Sequence, residues 1–322
     1  MFTLSKTTAA GKELRTCVVD TLVELMDENN QLVALDADLG SASGWTTIAN
    51  KHPQRFVNMG MGIAEANMVG VAAGLSLTGY TPFIHTFGPF ATRRVFDQLF
   101  ISGGYGGNTI NIYGSDPGFV VGHNGGTHTT WEDVALMRMI PQSIICDAAD
   151  EVQMAWIIKT FSQLSGIHYV RGNRKAVPTI YEKGSTFELG KGNILRPGDE
   201  LLLIASGQLV SETLQVAEEL AEVGISCEVI DMFTIKPIDK EMIIREVQGK
   251  RQVITIENHS ITGGLGSAVA EVLAETGSAV PLKRIGVNER FGQVGTPDFL
   301  QKEYGLDAAS IKQQIVEGKV KG

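Results

Sequence analysis

Short apolar runs recur along this chain, each followed by a stretch long enough for a helix, and that alternation restricts the fold more than any other feature. Gln31–Asp36, Phe56–Met59, Tyr80–Thr86, Thr109–Tyr113, Ser143–Cys146 and His168–Arg171 read as buried strands in the first half. Leu14, Val18, Leu22, Leu25 and Met26 mark one face of an amphipathic helix ending near Asn29. Trp131–Met139 and Glu151–Leu164 read as further helices, and Pro89 suits the first position of one predicted to run to about Ser102. After Gly198 the alternation restarts, with strands at Leu201–Ala205, Cys227–Ile230, Val253–Ile256 and Leu282–Val287. Val210–Val223, Lys240–Val247, Gly266–Glu275 and Asp307–Glu317 are the matching helices. Strands alternating with helices give parallel sheets covered on both faces, so two doubly wound α/β domains are expected. Ligands on such sheets sit at the carboxyl ends of the strands.

One segment stands apart, NMGMGIAEANMVGVAAGLSLT from Asn58 to Thr78. From Ala64 it reads as a helix with small and apolar residues on every side, which suits the inside of a domain or a subunit contact. Glu65 opens that helix. A carboxylate there is either a first-turn residue favoured by the helix dipole and reaching solvent, or a buried group that needs a partner.

At 322 residues the chain exceeds one ordinary core. The composition shifts to Gly, Lys and Glu between Tyr181 and Gly198, so domains are expected at 1–183 and 199–322, joined by a linker or short hairpin at 184–198. A net charge of −9 argues against general nucleic-acid binding. Cys17, Cys146 and Cys227 form no CxxC pair, which fits a reducing cytoplasm and no disulfide framework. The N-terminal residues hold no apolar signal core. No apolar run reaches the roughly 18 residues a spanning helix needs, so no membrane partner is expected.

Short motifs give little. Gly60-Met61-Gly62 begins like a dinucleotide fingerprint, but Glu65 stands at the third glycine position. No Walker loop, HExxH or Cys/His metal spacing occurs, and His123 and His128, five apart in a glycine-rich loop, do not share a helical face. What remains is a set of residues at first-domain strand ends: Arg15, Asp38, Glu65, Phe87, Phe90, Asn124, His128 and Arg171. Each also has a structural reading. Phe87 and Phe90 suit a core, His128 suits a bond to its own glycine loop, and Arg171 suits a pair with Asp147 or Asp150.

From about Lys12 onward the chain resembles the C-terminal half of transketolase and related thiamine-diphosphate enzymes. The resemblance rests on FVNMGMGIAEANMVGVAAGLSLTGYTPFIHTF, GHNGGTHTTWEDVALMRMIP and YVRGN, and then on VIDMFTIKPID and TIENHSITGGLGSAVAE. It implies a thiamine-diphosphate pyrimidine-binding fold followed by a transketolase-like C-terminal domain. The family's metal-binding GDG motif has no counterpart here. The chain therefore resembles one subunit of a split transketolase, acting on sugar phosphates. A separate N-terminal subunit is expected to bring the ligands for Mg2+ and diphosphate, in a heterotetramer of two copies of each.

The same resemblance implies roles. The Glu matching Glu65 bonds N1′ of the cofactor's aminopyrimidine and shares the proton that activates it, making it catalytic as well as cofactor-binding. Phe87 and Phe90 match the aromatic pocket for that ring, with Arg93 where a third aromatic is expected. Asp38 matches an interface residue near the cofactor. His128 matches the histidine of a GPTH motif, here GGTH, that bonds donor hydroxyls and assists proton transfer. Asn124 stands where an aspartate reads an acceptor hydroxyl, and Arg15 and Arg171 match arginines that hold the sugar phosphate. Ser115-Asp116 replaces a further histidine. These departures point to an unusual sugar, such as a branched ketose phosphate or a sulfonated one. The competing readings are a 2-oxo-acid dehydrogenase β-type subunit, a 1-deoxyxylulose-5-phosphate synthase-like chain and a non-catalytic assembly subunit.

Overall fold

The computed structural model of the chain describes residues 1–6, 9–60 and 62–317. They fall into two compact units. The first comprises Met1–Pro117 and Leu136–Phe187, and the second Gly118–Ala135 with the residues from Glu188 onward.

In the first unit, β1 (Leu32–Asp36), β2 (Phe56–Asn58), β3 (Thr81–Phe87), β4 (Ile110–Ser115), β5 (Ile144–Asp147) and β6 (Ile167–Gly172) lie in the order β5-β6-β4-β3-β1-β2. Every neighbouring pair among these is parallel, as the alternation predicts. Every residue of β1 is buried, which is why it reads as a continuous apolar run rather than an alternating one. The helix Leu14–Glu28 packs on the helix Glu151–Phe161 and buries Val18, Leu22 and Met26. Each such side chain contributes about 1.5–3 kcal/mol relative to exposure. Asp150 caps the second helix by accepting from Gln153 N at 2.9 Å.

The helix Glu65–Leu77 buries Glu65, Met68, Val69, Ala72 and Ala73. Asn67, Gly70, Gly74 and Leu77 stay exposed, so within this chain one face of the apolar helix is open. The continuous helix expected from Pro89 to Ser102 does not form. A four-residue helix at Gly88–Ala91 ends at Thr92, whose hydroxyl donates to Gly88 O at 2.8 Å, and tighter and wider turns follow to Tyr105. Proline placement predicts where this segment starts; the local bond from Thr92 decides where it breaks.

In the second unit, β7 (Asn193–Arg196), β8 (Leu201–Ala205), β9 (Cys227–Asp231), β10 (Thr234–Lys236), β11 (Gln252–Ser260) and β12 (Leu282–Val287) follow one another in sequence. Five of these form a sheet ordered β12-β11-β8-β9-β7. β7, inside the stretch expected as a linker, is an antiparallel edge strand on β9 with Ile194 opposite Ile230. Leu202, Ile204, Ile230, Val253 and Val269 form the centre of the core. The sequence reading missed β10 and the helix Pro297–Glu303, although Thr296 caps that helix by accepting from Phe299 N at 3.3 Å and Pro297 opens it. Among the described residues no helix is long and apolar enough to cross a membrane.

Candidate functional site

Glu65 is 4% exposed and begins the helix that β2 leads into. Its Oε1 accepts from Nη1 of Arg94 at 2.7 Å, while Oε2 is buried with no hydrogen-bond partner among the described residues. Burying an unpaired carboxylate oxygen is costly, so this atom identifies a position that calls for a donor. Arg94 also lies over the Phe90 ring, with Cζ 3.8 Å from the centroid. Phe90 meets Phe87 edge to face, centroids 6.1 Å apart. Thr92 sets this geometry, because the break there turns Arg94 rather than Arg93 onto Glu65.

The carboxyl ends of β1, β3 and β4 carry a buried polar row. Asp36 Oδ1 is 3.5 Å from His85 Nδ1, and His85 Nε2 is 3.2 Å from Ser115 Oγ. The register explains the first pair, because Asp36 sits opposite His85 across the β1–β3 ladder. Trp45 stacks on His85 at 5.2 Å, and Tyr113 lies at the same distance, tilted. Asp36 Oδ2 also accepts from Leu39 N at 2.7 Å and so fixes the turn that carries Asp38. Asp38 itself is exposed, with a left-handed φ of 62°. Arg15 braces the same loop by donating to Ala42 O at 2.8 Å, while its Nε lies 2.9 Å from Glu13 Oε2.

Past β4, Asp116 is buried in a left-handed conformation, φ 52°. Its Oδ1 accepts from Arg174 N at 2.9 Å and its Oδ2 is ion-paired with Arg174 Nε. Burial pushes the Asp116 carboxyl above its ordinary range, and the Arg174 guanidinium pulls against that shift. Arg174 Cζ lies 5.0 Å from the Phe87 centroid. Arg171, in β6, is 1% exposed and 3.5 Å from Asp147 Oδ2, the pairing its structural reading anticipated.

Asn124 and His128 belong to the second unit. Asn124 is exposed at the end of two short turns kinked at Gly122. His128 Nδ1 is 2.9 Å from Thr127 Oγ1, and its backbone N–H donates to Gly125 O at 3.0 Å. A Cβ at Gly126 would lie 2.3 Å from Gly292 O, so the glycine of GGTH is required by backbone contact and a proline there would collide. The TIENHS segment at the end of β11 holds this loop. Asn258 Oδ1 accepts from Phe119 N at 3.2 Å, Ser260 N donates to Trp131 O at 2.9 Å, and His259 Nε2 is 3.7 Å from Asp133.

The first unit thus brings together Glu65, Phe87 and Phe90, and adds Arg94, Arg174, His85 and Asp36, which sequence reasoning did not assign. His85 carried a readable signal as a polar residue inside an apolar strand. Arg174 carried none beyond its position after a strand end. Among the described residues no cluster of three His, Cys, Asp or Glu is placed to hold a metal ion.

The transketolase pyrimidine-binding domain matches residues 11–179, and the transketolase C-terminal domain matches residues 190–311. The 6-deoxy-6-sulfo-D-fructose transketolase subunit SqwH of Clostridium sp. (strain MSTE9) is 42% identical over 298 residues, 92% of each chain. A putative transketolase C-terminal section from Methanocaldococcus jannaschii is 41% identical over 314 residues, 97% of this chain and 98% of its own. Among solved structures, a split-gene transketolase described as an inactive β4 tetramer superposes with a TM-score of 0.86 at 36% identity, covering 95% of this chain and 98% of that one.

Proposed function

This chain belongs to the transketolase family, and from that membership we infer that it is the pyrimidine-binding subunit of a split transketolase, a transferase that moves a two-carbon ketol unit. The observation that carries the reading is Oε2 of Glu65, buried and lacking a partner among the described residues, beside the Phe87–Phe90 pair. A thiamine pyrimidine fits those residues: its ring nitrogen matches the carboxylate oxygen and its flat face matches the aromatics. When bound, thiamine diphosphate supplies the carbon nucleophile that takes up the ketol unit.

The chain's own residues then have defined tasks. Glu65 holds and returns a proton at Oε2, and Arg94 keeps the carboxylate oriented through Oε1. Phe87 and Phe90 exclude water from the ring site. His128 and Asn124 are assigned to sugar hydroxyls, and Asp38 to the loop bordering the cofactor. Arg15 and Arg171 are assigned to the anionic end of the sugar, with Arg171 oriented by Asp147.

Diphosphate and Mg2+ are assigned to a separate N-terminal subunit, in a heterotetramer of two copies of each chain. Three buried free thiols, Cys17, Cys146 and Cys227, support work in a reducing cytoplasm. The sugar is assigned to the unusual class: one relative is a subunit of a transketolase for 6-deoxy-6-sulfo-D-fructose, and a sulfonated or phosphorylated ketose is the donor expected here.

Co-expression with the N-terminal subunit, followed by a thiamine-diphosphate-dependent ketol-transfer assay, tests this. Activity is expected from the pair alone. Turnover by this chain without its partner would overturn the split-enzyme reading, and absence of transfer from any phosphorylated or sulfonated ketose would overturn ketol transfer.

A further inference from the structure

We propose that the Asp116–Arg174 pair reads the anionic end of the sugar, and that Asp116 selects a terminus with a single negative charge, a sulfonate over a phosphate. The inference rests on the ketol-transfer reading above and names the substrate class of that site.

The Arg174 guanidinium is held in place from two directions. Nε is ion-paired with Asp116, and the Phe87 ring lies 5.0 Å from Cζ. The main chain adds a third restraint, because Arg174 N donates to Asp116 Oδ1 at 2.9 Å. No acceptor other than Asp116 is placed against the guanidinium among the described residues, and its side chain is 26% exposed. A planar fork fixed along one edge and open along the other suits a tetrahedral oxyanion. Phe87 ties this fork to the aromatic pair beside Glu65.

Charge decides which oxyanion. Asp116 is 2% exposed, so its field is weakly screened, and it cancels the charge of Arg174 while leaving the N–H donors in place. Three further arginines of the first unit are paired in the same way, Arg15 with Glu13, Arg94 with Glu65 and Arg171 with Asp147. Such a site offers hydrogen bonds without a matching excess of positive charge. A sulfonate carries one negative charge at any physiological pH. A phosphate monoester carries about 1.5 to 2 at pH 7, since its second pKa is about 6. The additional charge meets the Asp116 carboxylate with no further cation of these pairs to offset it. An arginine facing a neutral residue at position 116 has the opposite bias.

The test compares fructose 6-phosphate with 6-deoxy-6-sulfofructose, identical except at the terminus, on the complete enzyme made from this chain and its partner subunit. Asp116→Asn is the variant of choice, because asparagine tolerates a left-handed backbone and keeps an acceptor for Arg174 Nε. The ratio of kcat/KM for phosphate over sulfonate should rise by about tenfold or more in Asp116→Asn. Arg174→Gln should raise KM for both anionic sugars. Calorimetric titration of both sugars into the thiamine-free complex, which cannot turn over, reads the same ratio independently of catalysis. An unchanged ratio in Asp116→Asn, or no binding of either sugar to the wild-type complex, overturns the proposal. Normal binding selectivity without any turnover would instead overturn the ketol-transfer reading and leave the role of Asp116 standing.

Discussion

Nη1 of Arg94 lies 2.7 Å from Oε1 of Glu65, 29 residues away in sequence, and the contact divides the carboxylate into one oxygen that is held and one that has no partner among the described residues. A salt bridge that occupied both oxygens would leave nothing for a ligand. Here the guanidinium fixes the orientation and leaves the second oxygen to the proton transfer proposed for Glu65.

Glu65→Gln is expected to keep the Arg94 contact, because the amide oxygen accepts as the carboxylate does. Thermal unfolding should move by little, while ketol transfer falls by about 10²–10⁴-fold, the range for loss of a general acid–base group. Steady-state kinetics alongside a melting curve checks this, and near-normal turnover would remove Glu65 from the mechanism.

Arg94→Met should destabilise the chain by about 1–3 kcal/mol, below the usual figure for breaking a buried pair because Arg94 is 31% exposed. Combining it with Glu65→Gln should recover part of the loss, since the uncompensated charge is then gone. Chemical denaturation of the two single variants and the double variant measures that coupling.

Arg171→Ala leaves Asp147 buried without its cation, so a loss of about 3 kcal/mol is expected. KM for anionic sugars should rise in the fraction that remains folded. A stability loss with unchanged KM would make Arg171 purely structural.

Asn258→Ala removes the acceptor of the Phe119 N–H and should cost about 1–3 kcal/mol. The effect should be local. Amide hydrogen exchange across Gly118–Trp131, the loop bearing Asn124 and His128, should accelerate while the strands of the same unit keep their protection.

His168 is buried beside Asn111 Oδ1, 2.7 Å from Nδ1, and burial lowers its pKa to about 4. The unfolded chain, with an ordinary value near 6.5, binds a proton that the folded chain refuses between these limits. Stability is therefore complete above about pH 6.5 and falls as pH drops toward 4, by about 3 kcal/mol in all. Denaturant midpoints measured across that window should lose most of this slope in His168→Gln.

Much of the architecture is legible in the sequence. Strand and helix alternation gave both α/β units, because burial on two faces forces apolar runs that local composition reveals. Gly126 shows the limit of that reading. The sequence presented it as a departure from GPTH, and only the carbonyl of Gly292, far along the chain, explains it. The edge strand Asn193–Arg196 was hidden for a similar reason, since an edge position needs few apolar residues and its composition resembles a loop.

The sequence by itself determined that Glu65 opens an apolar helix, that Phe87 and Phe90 follow a strand end, and that the motifs are those of one family. Tertiary structure alone decided the partners: Arg94 rather than Arg93 on Glu65, Arg174 on Asp116 across 58 residues, and His85 between Asp36 and Ser115. The reason is physical. Periodicity reports which side of an element is buried, whereas a charge is matched by whatever the neighbouring strand end carries. In the first unit, that neighbour is set by the strand order β4-β3-β1 and by the turn that carries residues 172–174 back to Asp116.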